Sequence, residues 1–511
     1  MPSTPFAEVP KRGILFALFF LGLLTGGLVA QNLAQQLQTI LTNHQLMGMS
    51  VTVVAHDSVI FSQGFGTADW GRGIAVTDST QYRIASISKS VAATALMLLY
   101  EQGLFHLDDD VSSYLGFALR NPNFPTAPIT FRMLLAHTSS IQDGTGYGAF
   151  STASFAADPP PPLSSMLVAG RPYFTANMFR SEPPGTFFAY SNVNYGVVGT
   201  LVERISGERF DVYCRQHILE PLGLAGSFNV QDLTNLDNLA VLYRKTGGVW
   251  TPQADNYLGI MPPPRDLSVY PIGSNAFIFG PQGSLRISAH DLAKYMLMHL
   301  NNGILDGVRI LQDSTATLMH TPQWTFDGTN GDNYHGLFRQ WGLGFQITTN
   351  APGGDIVFPD LPLIGHAGEA YGLISDMYFD TLRKIGIVFI TNGCGNGYTT
   401  NASSAFYTVE NAVFEAVYQS VLAPIVPVTA AATPGGIRFS PNPVGDYLRL
   451  ELPAIATDTR LQILNLQGQT VCQQIIDPAN PMVNMTSLPP GAYFIFLKDG
   501  ESVQVEKLIK L

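Results

Sequence analysis

The sequence predicts an α+β chain in which an antiparallel sheet is flanked by helices and followed by a small β-sandwich. Three observations carry this expectation. β-Rich pairs of runs lie at both ends of one long stretch, helical signals dominate between them, and residues 437–511 change to short alternating runs separated by Gly and Pro.

Lys11 and Arg12 precede an apolar run from Gly13 to Leu24, and small residues fill Thr25 to Ala30 before Gln31 and Asn32. This is the outline of a cleavable signal peptide over 1–30, an uncleaved anchor being the alternative. Val51 to Ala55 and Val59 to Gly64 flank His56-Asp57-Ser58 as a hairpin. The middle of the chain reads as helices broken by the Pro-rich loops Pro159 to Pro162 and Pro262 to Pro264. Gln142 to Pro184 is long for a plain connection and reads as an insertion or as a wall over a site. Ser288 to Asn302 reads as a helix, with Ser288 as cap, Asp291 in the first turn and Gly303 as stop. Leu373 to Phe379 and Ile385 to Thr391 form the second strand pair. Phe406, Val409, Val413, Val417 and Val421 then fall at helical spacing. Ala423 to Gly436 has the composition of a linker. The domain layout is therefore a leader over 1–30, a main domain over 31–422, a linker over 423–436 and a β-sandwich over 437–511.

Charged residues make up 13% of the chain and the net charge of −11 is spread without a Lys/Arg cluster, so nucleic acid is not an expected partner. Cys214, Cys394 and Cys472 give neither a disulfide framework nor a zinc spacing. None of the ten His lies in an HExxH pair, and GxSxG is absent. Asp108-Asp109-Asp110 reads as a solvated turn or helix cap.

Ser86-Ile87-Ser88-Lys89 opens a helix running through Val91, Leu96 and Leu99 to Gly103, which puts Ser86 and Lys89 on one face. A serine hydroxyl needs a neighbouring base, and Lys89 is a candidate once burial or nearby charge lowers its pKa. SxxK alone is a weak signal. Tyr190-Ser191-Asn192 adds a phenol able to relay a proton and an amide able to hold a carbonyl or the lysine, and no other Tyr of the chain sits in a Tyr-x-Asn.

The segments Tyr82 to Lys89, Met133 to Ser139, Pro184 to Gly196, Leu219 to Gly223 and Gly283 to Tyr295 resemble, in composition and order, the β-lactamase-related serine hydrolases of the penicillin-binding and class C type. The resemblance spans roughly residues 40–420. It implies an antiparallel sheet flanked by helices and joined to an all-helical subdomain, with the active site between them. It also implies Ser86 as the acylated nucleophile, Lys89 and Tyr190 as the acid/base pair, and Asn192 as a substrate-positioning residue. The family's third motif is Lys-Thr-Gly or His-x-Gly on a cleft edge strand. Lys245-Thr246-Gly247 matches the letters but comes too early, and Lys245 reads as a turn residue. Gly365-His366-Ala367-Gly368-Glu369 lies just before the late strands, so His366 and Gly368 are the expected substrate-positioning residues. Gly368 permits close backbone approach, and the N–H groups of Ser86 and Glu369 would form the oxyanion hole. His137 is placed at a structural helix end by the same resemblance, not in a Ser-His-Asp triad.

Ser440-Pro441-Asn442-Pro443, Leu461 to Gly468, Leu488 to Tyr493 and Lys507 to Lys510 resemble a type IX secretion sorting domain. This implies passage through the periplasm and across an outer membrane by the type IX machinery, followed by removal of the tail. The protein would be secreted or held at the outer surface, with no stable transmembrane helix once the leader is cut. The expected function is an exported serine hydrolase acting on an ester or amide of a small molecule or peptide, with no metal and no cofactor. The alternatives are a D-amino-acid peptidase, a β-lactamase, or an inactive surface-displayed binding protein. Retention of the whole constellation favours an enzyme.

Overall fold

The computed structural model describes residues 30–423 and, farther on, 438–440, 444, 447–451, 460–465, 470–476, 482–499 and 502–510. The leader up to residue 29, the linker from residue 424 and Pro441 to Pro443 lie outside the described residues. The chain divides into two compact units, Met1–Pro424 and Ile425–Leu511.

In the first unit, helix α1 (30–43) leads into β1 (Gly48–Ala55) and β2 (Ser58–Asp69). The hairpin turns at His56 and Asp57, both at positive φ (50° and 65°), which matches a tight two-residue turn to the twist of its strands. A nine-stranded antiparallel sheet follows. With β3 (Ile74–Ala75), β4 (Trp324–Thr325), β5 (Gln340–Trp341), β6 (Gln346–Ile347), β7 (Ile364–Ala370), β8 (Leu373–Asp380) and β9 (Ile385–Thr391), its order is β4-β5-β6-β7-β8-β9-β1-β2-β3. The early and late strands join centrally, Val51 lying opposite Phe389 and Val53 opposite Ile387. Every residue of β1, β8 and β9 is buried, because helices cover both faces.

The two covering helices are separated by the alternation of β8. Phe379 meets His299 of α5 (Ala289–Leu300), whereas its neighbour Tyr378, which points the other way, meets Phe414 of α6 (Thr408–Val417). Ser288 caps α5 by accepting from the Asp291 N–H, and Gly303 closes it at φ 91°. Phe406 departs from expectation. It belongs to a short strand, Ser404–Tyr407, because α6 starts only at Thr408, where Glu410 in the first turn accepts from the Tyr407 N–H.

Between β3 and β4 lies the helical region. Its centre is α2 (Ser88–Glu101) packed against α4 (Asn192–Ser206), both buried along most of their length, with α3 (Thr145–Ala156) between them in the chain. Ser86 falls just before α2, in a tight turn at Ala85–Ile87, and not on the helix itself. Lys245 also departs from expectation: it lies in the strand Leu242–Thr246, with Nζ donating to Gln45 Oε1 at 2.6 Å and sitting over Trp250. Asp108, Asp109 and Asp110 take partners of different kinds, Arg132, the His106 N–H with the Tyr114 hydroxyl, and Arg120, as turn and cap residues do.

In the second unit, Arg438–Ser440, Tyr447–Glu451 and Met482–Asn484 form one sheet. Arg460–Leu464, Thr470–Ile475, Gly491–Asp499 and Ser502–Lys510 form another. Leu448, Leu461, Val483, Ile495 and Leu508 share one apolar core, the arrangement of a small β domain. Among the described residues no helix is long and apolar enough to cross a membrane.

Candidate active site

The edge of the sheet makes room for the site. Strand β6 pairs with β7 only at Ile364 and Gly365, so from His366 to Ala370 no strand of the described residues lies on that side of β7. The Ala85–Ile87 turn packs against β7 and β8, over the face on which Gly368 and Ser375 lie. Ala85 has φ 48°, an uncommon conformation for a residue with a Cβ, which turns the chain sharply immediately before Ser86.

Ser86, Lys89, Tyr190, Asn192, His366 and Gly368 converge at this point. Lys89 is fully buried, and its Nζ lies 2.9 Å from Ser86 Oγ, 2.8 Å from Asn192 Oδ1 and 2.7 Å from the Gln282 carbonyl oxygen. Burial lowers its pKa to about 7, against the opposing pull of Asp143. The consequence is geometric as well as electrostatic. A neutral amine has two N–H groups, and two carbonyl oxygens are present to accept them, which leaves its lone pair facing the serine hydroxyl. Tyr190 is stacked on the other side, its ring 4.8 Å from Lys89 Nζ and its hydroxyl in contact with Ser86. Burial raises its pKa well above the ordinary value, so Tyr190 stays a phenol near neutral pH.

Gly368 lies where a side chain has no room. A Cβ there would stand 2.3 Å from Ser375 Oγ, 2.8 Å from the Ile84 carbonyl oxygen and 3.2 Å from the Ser86 nitrogen. His366 is buried between Tyr190 and Trp341, with ring centroids 6.1 and 5.3 Å away. Burial, then the charge of Lys89, lowers its pKa to about 3, so the imidazole is neutral. Its Nδ1 lies 2.6 Å from the Ala367 carbonyl oxygen, and its Nε2 has no partner among the described residues. The Glu369 side chain is exposed and accepts a hydrogen bond from the Tyr407 hydroxyl.

Among the described residues no hydrogen bond joins His137 to Ser86. His137 is buried just past a short helix at φ 57°, and its Nδ1 accepts from the Ser191 N–H at 3.1 Å. That bond supports the backbone between Tyr190 and Asn192.

Two members of the constellation were not visible in the motifs. Asp143, in the long 142–184 segment, accepts from the Asn192 and Val193 N–H groups, the Asn192 side-chain amide and the Ser191 hydroxyl, at 2.8 to 3.1 Å. It thus caps α4 from outside the helix and turns the Asn192 amide so that Oδ1 faces Lys89. Gln282 contributes only its carbonyl, for which side-chain identity gives no signal. Tyr334 and Phe338 extend an aromatic wall from Tyr190, with centroids at 6.1 and 5.4 Å. Among the described residues no group of His, Cys, Asp and Glu is arranged to hold a metal ion.

Comparison with known proteins agrees with this architecture. The beta-lactamase family model matches residues 29–404, and the model of the secretion system C-terminal sorting domain matches 439–511. Penicillin-binding protein 4 of Amycolatopsis lactamdurans is 26% identical over 367 residues, covering 69% of this chain and 82% of that protein. The octameric penicillin-binding protein homologue from Pyrococcus abyssi has a TM-score of 0.56 at 21% identity, covering 93% of this chain and 99% of its own. EstCE1, a hydrolase with promiscuous acyltransferase activity, has a TM-score of 0.53 at 23% identity, covering 76% and 100%. The last two likenesses establish the fold.

Proposed function

Because the chain belongs to the beta-lactamase family and carries a secretion system C-terminal sorting domain, we propose that it is an exported serine hydrolase that forms an acyl-enzyme on Ser86. The observation that carries the proposal is the Lys89 amine, buried, fixed by two carbonyl oxygens and 2.9 Å from the Ser86 hydroxyl. Neutral Lys89 takes the proton as Ser86 attacks an ester or amide carbonyl, and the oxyanion that forms meets the N–H groups of Ser86 and Glu369. Tyr190 passes the proton to the leaving group, and water then repeats the sequence on the acyl-enzyme. Asn192 and the His366–Gly368 edge align the substrate.

Neutral esters and amides are the favoured substrates over carboxylate-bearing β-lactams. A neutral imidazole at His366 offers no fixed positive charge where a lysine would. The test is covalent labelling by a fluorophosphonate. Wild-type protein is expected to label at one site and Ser86→Ala not at all, with an unchanged melting temperature. Labelling of Ser86→Ala at the wild-type rate would exclude the mechanism.

A further inference from the structure

Ser284, two residues past Gln282, borders a cavity of ≈ 650 Å³ with no part in the chemistry above. Ser86, Lys89, Tyr190, Asn192 and His366 do not line it. Four arginines do, Arg83, Arg209, Arg265 and Arg286, and no acidic residue does. The rest of the wall is largely apolar, with Phe228, Ile278 and Phe279 prominent.

Two of the arginines share one carboxylate. Arg83 and Arg286 stand opposite each other on adjacent strands, and both fork onto the single buried carboxylate of Asp255 at 2.7 to 3.2 Å. Two guanidiniums on one carboxylate leave one charge in excess. Arg209 forks onto Asp211 through Nε and Nη2, at 3.0 and 2.6 Å, with its guanidinium 5.4 Å from the Phe279 ring centre. Each of these forks uses one edge of the guanidinium. Arg83 Nη1 and Arg209 Nη1 make no hydrogen bond to the described residues. Arg265 differs, since Asp158 and the carbonyls of Ser154 and Ala157 occupy all three of its nitrogens.

We propose that this cavity binds a carboxylate on an apolar tail, the carboxylate bridging the open edges of Arg83 and Arg209 and the tail lying against Phe228, Ile278 and Phe279. Planar oxyanions match the guanidinium edge, and a volume of this size encloses a medium-length chain. The site is independent of acylation at Ser86.

The test uses full-length Ser86→Ala protein, which has no catalytic nucleophile, and isothermal titration with octanoate, 1-octanol, acetate and inorganic phosphate. Octanoate is expected to bind one to one, at least about tenfold tighter than each of the other three. Arg209→Lys keeps a cation for Asp211 but loses the fork, and is expected to weaken octanoate about tenfold while leaving octanol unchanged. Ile278→Trp fills the cavity and is expected to abolish binding of both. Equal affinity for octanoate and octanol, phosphate binding as tightly as octanoate, no octanoate binding, or octanoate binding retained in Ile278→Trp would each overturn the proposal. If Arg209→Lys does not fold, the ligand comparison and Ile278→Trp decide it.

Discussion

At the scale of the residue, the proposed chemistry turns on one proton. Lys89 has a pKa of about 7 through burial, so its neutral, basic fraction grows as pH rises through that value. The second-order rate of fluorophosphonate labelling is therefore expected to climb between about pH 6 and 8 and then level off. A profile flat across that range would assign the base elsewhere. Lys89→Met and Tyr190→Phe are each expected to lower the rate about 10²- to 10⁴-fold, and the double variant to lose little more, since both serve one relay. Fully multiplicative losses would separate their roles. His366 is the proposed determinant of charge selection. His366→Lys is expected to shift catalytic efficiency toward a carboxylate-bearing β-lactam relative to a neutral ester, whereas Lys245→Ala, at a residue engaged with Gln45, leaves the ratio unchanged. The reverse pattern would assign the third motif to Lys245.

At the scale of the element, the strand that carries His366 and Gly368 is held from behind. Asp376 on β8 lies opposite Ala367 and forms a buried acid pair with Glu410 of α6, while Glu369 is bonded to Tyr407 at the start of the same helix. Burial raises the pKa of both acids, Glu410 to about 8. An acid raised above its unfolded value of 4.5 stays protonated in the fold while the unfolded chain ionises, so stability falls as pH rises from about 4.5 to about 8. Glu410→Gln removes that loss, and its melting temperature is expected to exceed the wild type's at pH 8 but not at pH 5. An equal gain at both pH values would remove ionisation as the cause. Much at this scale was legible in the sequence, because strand alternation, the Ser288 cap and the spacing of SxxK are local. What was not legible is contact between distant segments. Asp143 meets Asn192 across 49 residues and Lys89 meets the Gln282 carbonyl across 193, and neither partner leaves a periodic or motif signature. Phe406 kept helical spacing although the helix starts only at Thr408 and Phe406 lies in the strand before it.

At the scale of the whole molecule, the proposed chemistry and the sorting-domain match fall in different parts of the chain. Ser86, Lys89, Tyr190, Asn192, Asp143, Gln282 and His366 all lie in the unit Met1–Pro424, and the sorting-domain match lies entirely in Ile425–Leu511. The second unit has its own apolar core, so its removal does not open the core built around α2, α4 and α5. Activity and export are thus expected to separate. Intact-mass analysis of protein released by a host with the type IX machinery is expected to give a chain beginning at or near Gln31 and lacking about 75 C-terminal residues. Its fluorophosphonate labelling rate should equal that of the full chain. Truncation at Ala423 before expression should leave labelling intact but keep the protein in the periplasm. Release of molecules that all retain residues 436–511 would contradict the sorting role, and loss of labelling on truncation would show that the catalytic unit depends on the tail.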